Sequence, residues 1–380
     1  MRFVHIADTH LGFSAFNKLD PDTGMNLRER LFYDNFLESV REIVRQRPEV
    51  VVHAGDLFDR VRPKTRAYTT VLEALELLKD AGIPLVAISG NHSMPKTRYT
   101  PSPFEVLEFH AADMHAAYRY RYEQVEIGDV TFHLIPNMLH AEDYQEAFDD
   151  LAWSASGANV LVTHGLASVL RDWRLRTVAE HELSATMLSP DFDYIALGHF
   201  HGQRQVAENA WYSGSLEFCS YAEIADTKGG LLVDTSSGEV RHLPLPHTPM
   251  VDLGTVRCEG KDADEVNGRV SRILDDDDLD ATAMYLLTLD KVARDVAGRL
   301  DQKKIARIRD RVLDLKIKVG IAEESTPAFE GKDVAAVDFV EEFSRFLARK
   351  ELSPEAREFV QRKGTLALRH ALERHAEAPE

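Results

Sequence analysis

A chain of 380 residues with 44% hydrophobic composition can bury one large core and still build smaller modules, so two or three domains are expected. Its 45 Lys and Arg against 63 Asp and Glu give a formal charge of −18, which excludes non-specific nucleic-acid binding over the whole surface but not a local site whose field bound cations reverse. Cys219 and Cys258 are the only cysteines, too few for a disulfide or zinc-thiolate scaffold, and neither takes a role; with no signal-peptide pattern and no apolar run near the ~20 residues of a membrane span, a soluble cytoplasmic protein is expected.

In chain order, Phe3 to Ala7 reads as a strand, Arg28 to Arg45 as a helix with apolar spacing, and Val50 to Val52 as a strand. Thr65 to Ala81 then predicts a helix and Leu85 to Ile88 a strand. Further buried strands are expected at Thr131 to Ile135, Asn159 to Val162 and Tyr194 to Leu197, and shorter ones around Trp211-Tyr212, Gly230 to Val233 and Val240 to Leu243. Strands without polar alternation need helices over their faces, which predicts an α/β sandwich. From Met250 the pattern restarts as strand, helix, strand (Thr282 to Leu289), helix (Gly298 to Arg311) and strand (Leu313 to Val319). The polar, proline-containing stretch Glu323 to Pro327 reads as a linker. Two helices follow, Val334 to Lys350 and one opened by Ser353 and Pro354. Ala336, Phe339, Val340, Phe343, Phe346 and Leu347 form an apolar stripe on the first. Such a stripe suits either a partner or the same chain.

The motifs Asp8-Thr9-His10, Gly55-Asp56-Leu57-Phe58-Asp59, Gly90-Asn91-His92-Ser93, Thr163-His164-Gly165 and Gly198-His199-Phe200-His201 each follow an apolar run. Residues beyond the carboxyl ends of strands in an α/β sheet gather in one crevice, so these five should meet. Asp8 with His10, and His199 with His201, are spaced two apart, which in extended backbone points both side chains the same way. The glycines are expected where the chain turns sharply beside the site. Carboxylates and imidazoles without thiolates suit manganese, iron or zinc ions rather than calcium or a structural zinc. Asp8, His10, Asp56, Asn91, His164, His199 and His201 are enough for two cations, which could share Asp56 and poise a hydroxide for in-line attack on phosphorus. His5, His53, His133 and His181 read as ordinary packed or surface histidines and stay unassigned.

This order of motifs resembles the calcineurin-like metallophosphoesterases over roughly the first 245 residues. The opening His5-Ile6-Ala7-Asp8-Thr9-His10-Leu11-Gly12, the segment Ala54 to Asp59, the Gly214-Ser215-Leu216-Glu217 stretch followed by Lys228-Gly229, and the appended domain narrow it to the SbcD-type DNA repair nucleases. The resemblance implies an α/β metallophosphoesterase sandwich over 1–247, a small α/β capping domain over 248–322, a linker over 323–332 and a helical segment over 333–380. It implies that Asp8, His10, Asp56 and His201 hold one ion and Asp56, Asn91, His164 and His199 the other, both most readily Mn2+. His92 is then the free histidine that, by the resemblance, contacts the scissile phosphate and protonates or stabilises the leaving oxygen. Ser93 stands where many relatives carry an acid after that histidine, and Asp59 where some carry a second histidine.

Implied too are 3′-to-5′ exonuclease action on duplex DNA ends, endonuclease action on single strands and hairpins, a partnership with the coiled-coil ATPase SbcC, and a homodimer. Arg60, Arg62, Lys64, Arg66, Lys96 and Arg98 would contact phosphates, the plainer reading being solvated loops; Arg171, Arg174 and Arg176 form a weaker set. The rival readings are a phosphodiesterase or phosphatase for a small substrate and a non-catalytic DNA-end tether.

Overall fold

The computed structural model describes residues 1–97, 99–170, 182–275, 279–322, 339–348, 350 and 353–376. Arg98, Arg171, Arg174, Arg176, His181, the expected linker and the expected helix start at Val334 lie outside the described residues. The elements run β1 (Arg2–Ile6), α1 (Leu27–Gln46), β2 (Val50–His53), α2 (Thr65–Asp80), β3 (Leu85–Ile88), α3 (Phe104–Leu107), β4 (Met114–Ala117), β5 (Glu123–Ile127) and β6 (Val130–Ile135). They continue with α4 (Ala141–Asp149), β7 (Ala158–His164), β8 (Leu166–Ala167), β9 (Glu182–Leu183), β10 (Tyr194–Gly198), β11 (Arg204–Ala207), β12 (Ala210–Tyr212), β13 (Gly230–Asp234) and β14 (Glu239–Leu243).

Two sheets form the sandwich, ordered β14-β13-β1-β2-β3-β4 and β11-β12-β10-β7-β6-β5. β1 to β4 are mutually parallel, as are β6, β7, β10 and β12. Both sheets are buried on two faces, which explains the continuous apolar runs. Between them lie Phe3, Val52, Ile88, Phe132, Val160 and Tyr194. Phe3 meets Phe132 and Tyr194 edge-on at 5.9 and 5.5 Å. On the outer face of the first sheet, Val4, Ile6 and Val51 pack under Phe36, Val40 and Ile43 of α1 and Val71, Leu75 and Leu78 of α2. Leu161, Ile195 and Leu197 of the second sheet meet Tyr144 and Ala147 of α4.

After the sandwich come β15 (Met250–Arg257), α5 (Ala263–Leu274), β16 (Met284–Val292), α6 (Arg294–Ala297), α7 (Gln302–Arg311) and β17 (Asp314–Ile321). Here the sequence expectation of one helix from Gly298 needs correcting. α6 stops at Gly298, and Asp301 starts α7 by accepting the Lys304 N–H at 3.0 Å. The three parallel strands carry a core of Val266, Val270, Leu287, Leu289, Ile305 and Ile308. This module is joined to the sandwich, because Met284 and Leu313 pack on Phe218, and Tyr221 Oη donates to Asp314 Oδ2 at 2.7 Å. Residues 1–322 accordingly form one compact unit and 323–380 another. In the second unit, α8 (Phe339–Ala348) and α9 (Pro354–Ala376) pack together, Gln361 donating to Ser344 Oγ at 2.5 Å. Ser353 Oγ accepts the Ala356 N–H at 3.2 Å at the head of α9.

Candidate metal centre

β1, β2 and β3 of one sheet and β7 and β10 of the other end at the same edge of the sandwich, and all the candidate ligands stand on or just beyond those ends. The paired spacing does not work through extended backbone as expected. Asp8, His10, Asp56 and His199 have φ of 52, 44, 54 and 99°, in the left-handed region. A run of backbone bonds between the loops after β1 and β2 holds these conformations: Asp8 N–H to Gly55 O at 3.0 Å, His10 N–H to Asp56 O at 3.0 Å and Leu11 N–H to Leu57 O at 2.9 Å. Gly90 and Gly198 are needed for space rather than for turning. A Cβ on Gly90 would lie 2.3 Å from Asp56 Oδ1, and one on Gly198 would lie 2.0 Å from Ala54 O.

Asp56 sits at the centre of the cluster, 2% exposed. Its Oδ1 accepts the His92 N–H at 2.9 Å, and its Oδ2 lies 3.3 Å from His164 Nε2 and 4.0 Å from His10 Nε2. On one side, Asp8, His10 and Asp56 bring three ligand atoms together, and His201 Nε2 stands 3.1 Å from His10 Nε2. On the other, Asn91 Oδ1 is 3.0 Å from His164 Nε2 and 3.1 Å from His199 Nδ1. Asp8 accepts the His199 N–H with both oxygens, at 3.1 and 3.0 Å, which ties the two halves together. His164 Nδ1 donates to Ala54 O at 2.9 Å, so Nε2 is the nitrogen that faces the cluster.

The electrostatics call for positive charge. Burial alone would raise the Asp56 carboxyl, but His164 beside it, with His10 and His92, holds it below the ordinary range, so it is an anion. Burial lowers His10, and lowers His199 to about 3, leaving neutral imidazoles with lone pairs. His164 is pushed up to about 9: burial opposes this, but Asp56 and Asp8 outweigh it. A proton is thus drawn to the place where two buried carboxylates lack a counter-charge. Buried His10 Nδ1 and His199 Nε2 have no hydrogen-bond partner. Converging carboxylate, amide and imidazole donors with unmet demand for cationic charge fit divalent metal ions.

His92 lies at the rim, its side chain 43% exposed. Its Nδ1 donates to Asp59 O at 2.9 Å, and its ring stands edge-on to His10 at 4.7 Å. Ser93 is fully buried and its Oγ is unpartnered, so the carboxylate near the His92 ring is that of Asp59, 4.0 Å away, not residue 93. Among the basic residues, Arg60 pairs with Asp59 at 3.1 Å and Lys64 with Glu29 at 2.5 Å; Arg62, Arg66 and Lys96 are exposed. His5, His53 and His133 are buried, bonding Tyr194, Thr9 and Asn159 respectively at 3.0, 3.1 and 3.0 Å.

Sequence reasoning missed three neighbours. Glu223 Oε1 accepts from His201 Nδ1 at 3.1 Å, and its Oε2 accepts from Lys228 Nζ at 2.8 Å and Cys219 N at 3.1 Å. Burial would raise Glu223, but His201 and Lys228 bring it down to about 2, while Cys219 and Glu223 raise His201 against its burial. The only signal in the sequence is the Lys228-Gly229 pair that helps carry the family resemblance, and the Lys228 side chain is fully buried.

The family model described as calcineurin-like phosphoesterase matches residues 1–203. The protein called DNA double-strand break repair protein Mre11 from Methanococcus maripaludis is 29% identical over 238 residues, covering 60% of this chain and 60% of that protein. Its namesake from Methanocaldococcus jannaschii is 28% identical over 284 residues, covering 72% and 73%. This chain therefore spans about three fifths of the length of the first of these relatives. Among solved structures, a purple acid phosphatase from yellow lupin matches with a TM-score of 0.36 and 13% identity, covering 63% of this chain and 52% of that one, a likeness too slight to bear on function. Among the described residues, no helix is long and apolar enough to cross a membrane.

Proposed function

The chain belongs to the calcineurin-like phosphoesterase family, and on that premise we propose that it is a two-cation DNA nuclease of double-strand-break repair. The observation that carries this reading is the gathering of carboxylate, amide and imidazole donors from both sheets around one buried anion, Asp56, with a further histidine left at the rim. The proposed sets are Asp8, His10, Asp56 and His201 for one ion and Asp56, Asn91, His164 and His199 for the other. The mixed donor set suits manganese, iron or zinc, and the family resemblance favours manganese. When bound, the pair supplies a hydroxide nucleophile at neutral pH and the positive charge that stabilises a phosphorane-like transition state.

The chain's own groups do the rest. His92 presents Nε2 outward because Nδ1 is spent on Asp59 O, and its backbone N–H on Asp56 Oδ1 fixes its place relative to the shared carboxylate. From there it donates a proton to the leaving oxygen. Arg60, Arg62, Lys64, Arg66, Lys96 and Arg98 would contact the phosphate backbone. The proposed substrates are duplex ends, cut 3′ to 5′, and single strands and hairpins. The second unit carries the exposed apolar side chains Phe346, Phe359 and Leu366, which supports docking to a coiled-coil ATPase of the SbcC type. Self-association rests on the family resemblance alone.

Manganese-dependent turnover of plasmid and hairpin DNA, run beside a chromogenic phosphodiester, tests the proposal. DNA cleavage is the expected result. Turnover of the small ester alone would favour a small-substrate phosphodiesterase, and DNA binding with neither turnover would favour a tether.

A further inference from the structure

The donor set read from the sequence contains no sulfur, yet the thiol of Cys219 belongs to the cluster. Its Sγ and one nitrogen each of His10 and His201 all lie within 4.8 Å of one another. One ion bonded at the usual ~2.0–2.3 Å to sulfur and nitrogen would span that spacing. The cysteine is a free thiol, half-buried, on a loop with little freedom. Its own N–H is held by Glu223 Oε2 at 3.1 Å, and the same carboxylate orients His201 through Nδ1 at 3.1 Å. The preceding residues are pinned as well, since buried Arg28 donates to Glu217 Oε2 at 2.8 Å and to Phe218 O at 2.7 Å. Independent of the thiol, His10 is 2% exposed and its Nε2 meets His201 Nε2 at 3.1 Å, while its Nδ1 lies on the side of Asp59 Oδ1 at 3.8 Å. With His201 Nδ1 donating to Glu223, Nε2 of His201 and Nε2 of His10 are the nitrogens left for a cation beside Cys219.

We propose that Cys219 is an additional ligand of the cation held by His10 and His201, making that position softer than an all-oxygen-and-nitrogen site. It rests on the two-cation reading. On binding, the S–H bond breaks as the sulfur–metal bond forms, and the proton leaves to solvent. Thiolate ligation biases the position toward cobalt, zinc or ferrous iron relative to manganese, whereas the second position, with Asp56, Asn91, His164 and His199, keeps no such bias.

Cobalt(II) titrated into the reduced full-length chain tests this. The expected spectrum shows visible cobalt bands together with a near-ultraviolet thiolate-to-cobalt charge-transfer band that is lost in Cys219→Ser and kept in Cys258→Ser. The zinc Kd of Cys219→Ser should rise about tenfold or more while its manganese Kd changes by less than about threefold. Cobalt bound without the sulfur band, or a band that survives Cys219→Ser, overturns the assignment of Cys219 and leaves the two-cation reading standing. Failure of the wild-type chain to bind cobalt at all overturns both.

Discussion

Glu223→Ala separates orientation of a ligand from stability of the fold. Glu223 holds His201 Nδ1 at 3.1 Å with one oxygen, and with the other it accepts the Cys219 N–H at 3.1 Å and neutralises Lys228 at 2.8 Å. Removing a carboxylate that fixes a metal-binding histidine lowers metal affinity by about 10–100-fold, or ~1.4–2.7 kcal/mol. The same change strands a fully buried ammonium without a counter-charge, beside His201 O at 3.1 Å, Ser215 Oγ at 2.8 Å and the Phe218 ring at 4.9 Å. An uncompensated buried charge costs about 3–5 kcal/mol of stability. Glu223→Ala with Lys228→Met removes both charges, so urea unfolding should recover most of the stability while manganese calorimetry still reports weakened binding. The carboxyl, at about 2 in the fold against an ordinary 4.5, is a depressed acid. Its stabilisation, at most ~3 kcal/mol, is therefore complete above pH 4.5 and lost as pH falls toward 2, and Glu223→Ala should flatten that limb of the stability curve. Wild-type manganese affinity in Glu223→Ala, or full recovery of affinity in the double variant, would refute the orienting role.

Asp56→Asn should lose both metal equivalents and all turnover, because the one anion that faces both halves of the cluster is gone; calorimetry that still counts two ions would contradict the shared-carboxylate assignment. His92→Ala should keep both ions and DNA binding while turnover drops roughly 10²–10⁴-fold, and a wild-type rate would end the general-acid role. Gly198→Ala should destabilise the sandwich by about 1–3 kcal/mol or more, since its Cβ would sit 2.0 Å from the Ala54 carbonyl; an unchanged urea midpoint would show that the β2 and β10 ends can separate. Ser93→Asp places a carboxylate in a fully buried pocket instead of beside the His92 ring, so a loss of stability is expected in place of a shifted pH–rate profile, with thermal melts and pH–rate curves as the measurements.

Elements buried on both faces were legible. Val50 to His53 is wholly buried and apolar but for its last residue, and α1 and α2 show their apolar spacing because one face of each lies on β1 and β2. Elements at the rim were not. β5 alternates exposed Gln124 and Glu126 with half-buried Glu123, Val125 and Ile127, β4 is only the four residues Met-His-Ala-Ala, and α4 follows a histidine cap with acidic residues, so none offers a long apolar period. The break between α6 and α7 was hidden for a related reason. Periodicity runs on through Gly298 to Leu300, and only the cap at Asp301 marks the new start.

The ligand cluster was legible for a reason that spacing alone does not supply. The motifs could be assigned to strand ends because each follows a buried run, and parallel strands in two facing sheets deliver those ends to one edge. What spacing misjudged was the local path. The left-handed turns at Asp8, His10, Asp56 and His199 depend on bonds between loops some fifty residues apart in sequence, such as Asp8 N–H to Gly55 O, and no two-residue period predicts them. The supporting shell was less legible still. Glu223, Lys228 and Cys219 reach His201 from a loop beyond the last motif, and a lone acid, lysine or cysteine there reads as surface until the fold brings them within 3.1 Å of the imidazole or of one another. The ligands therefore follow from where strands end, whereas their orientation, and any sulfur among them, follows from how the chain returns.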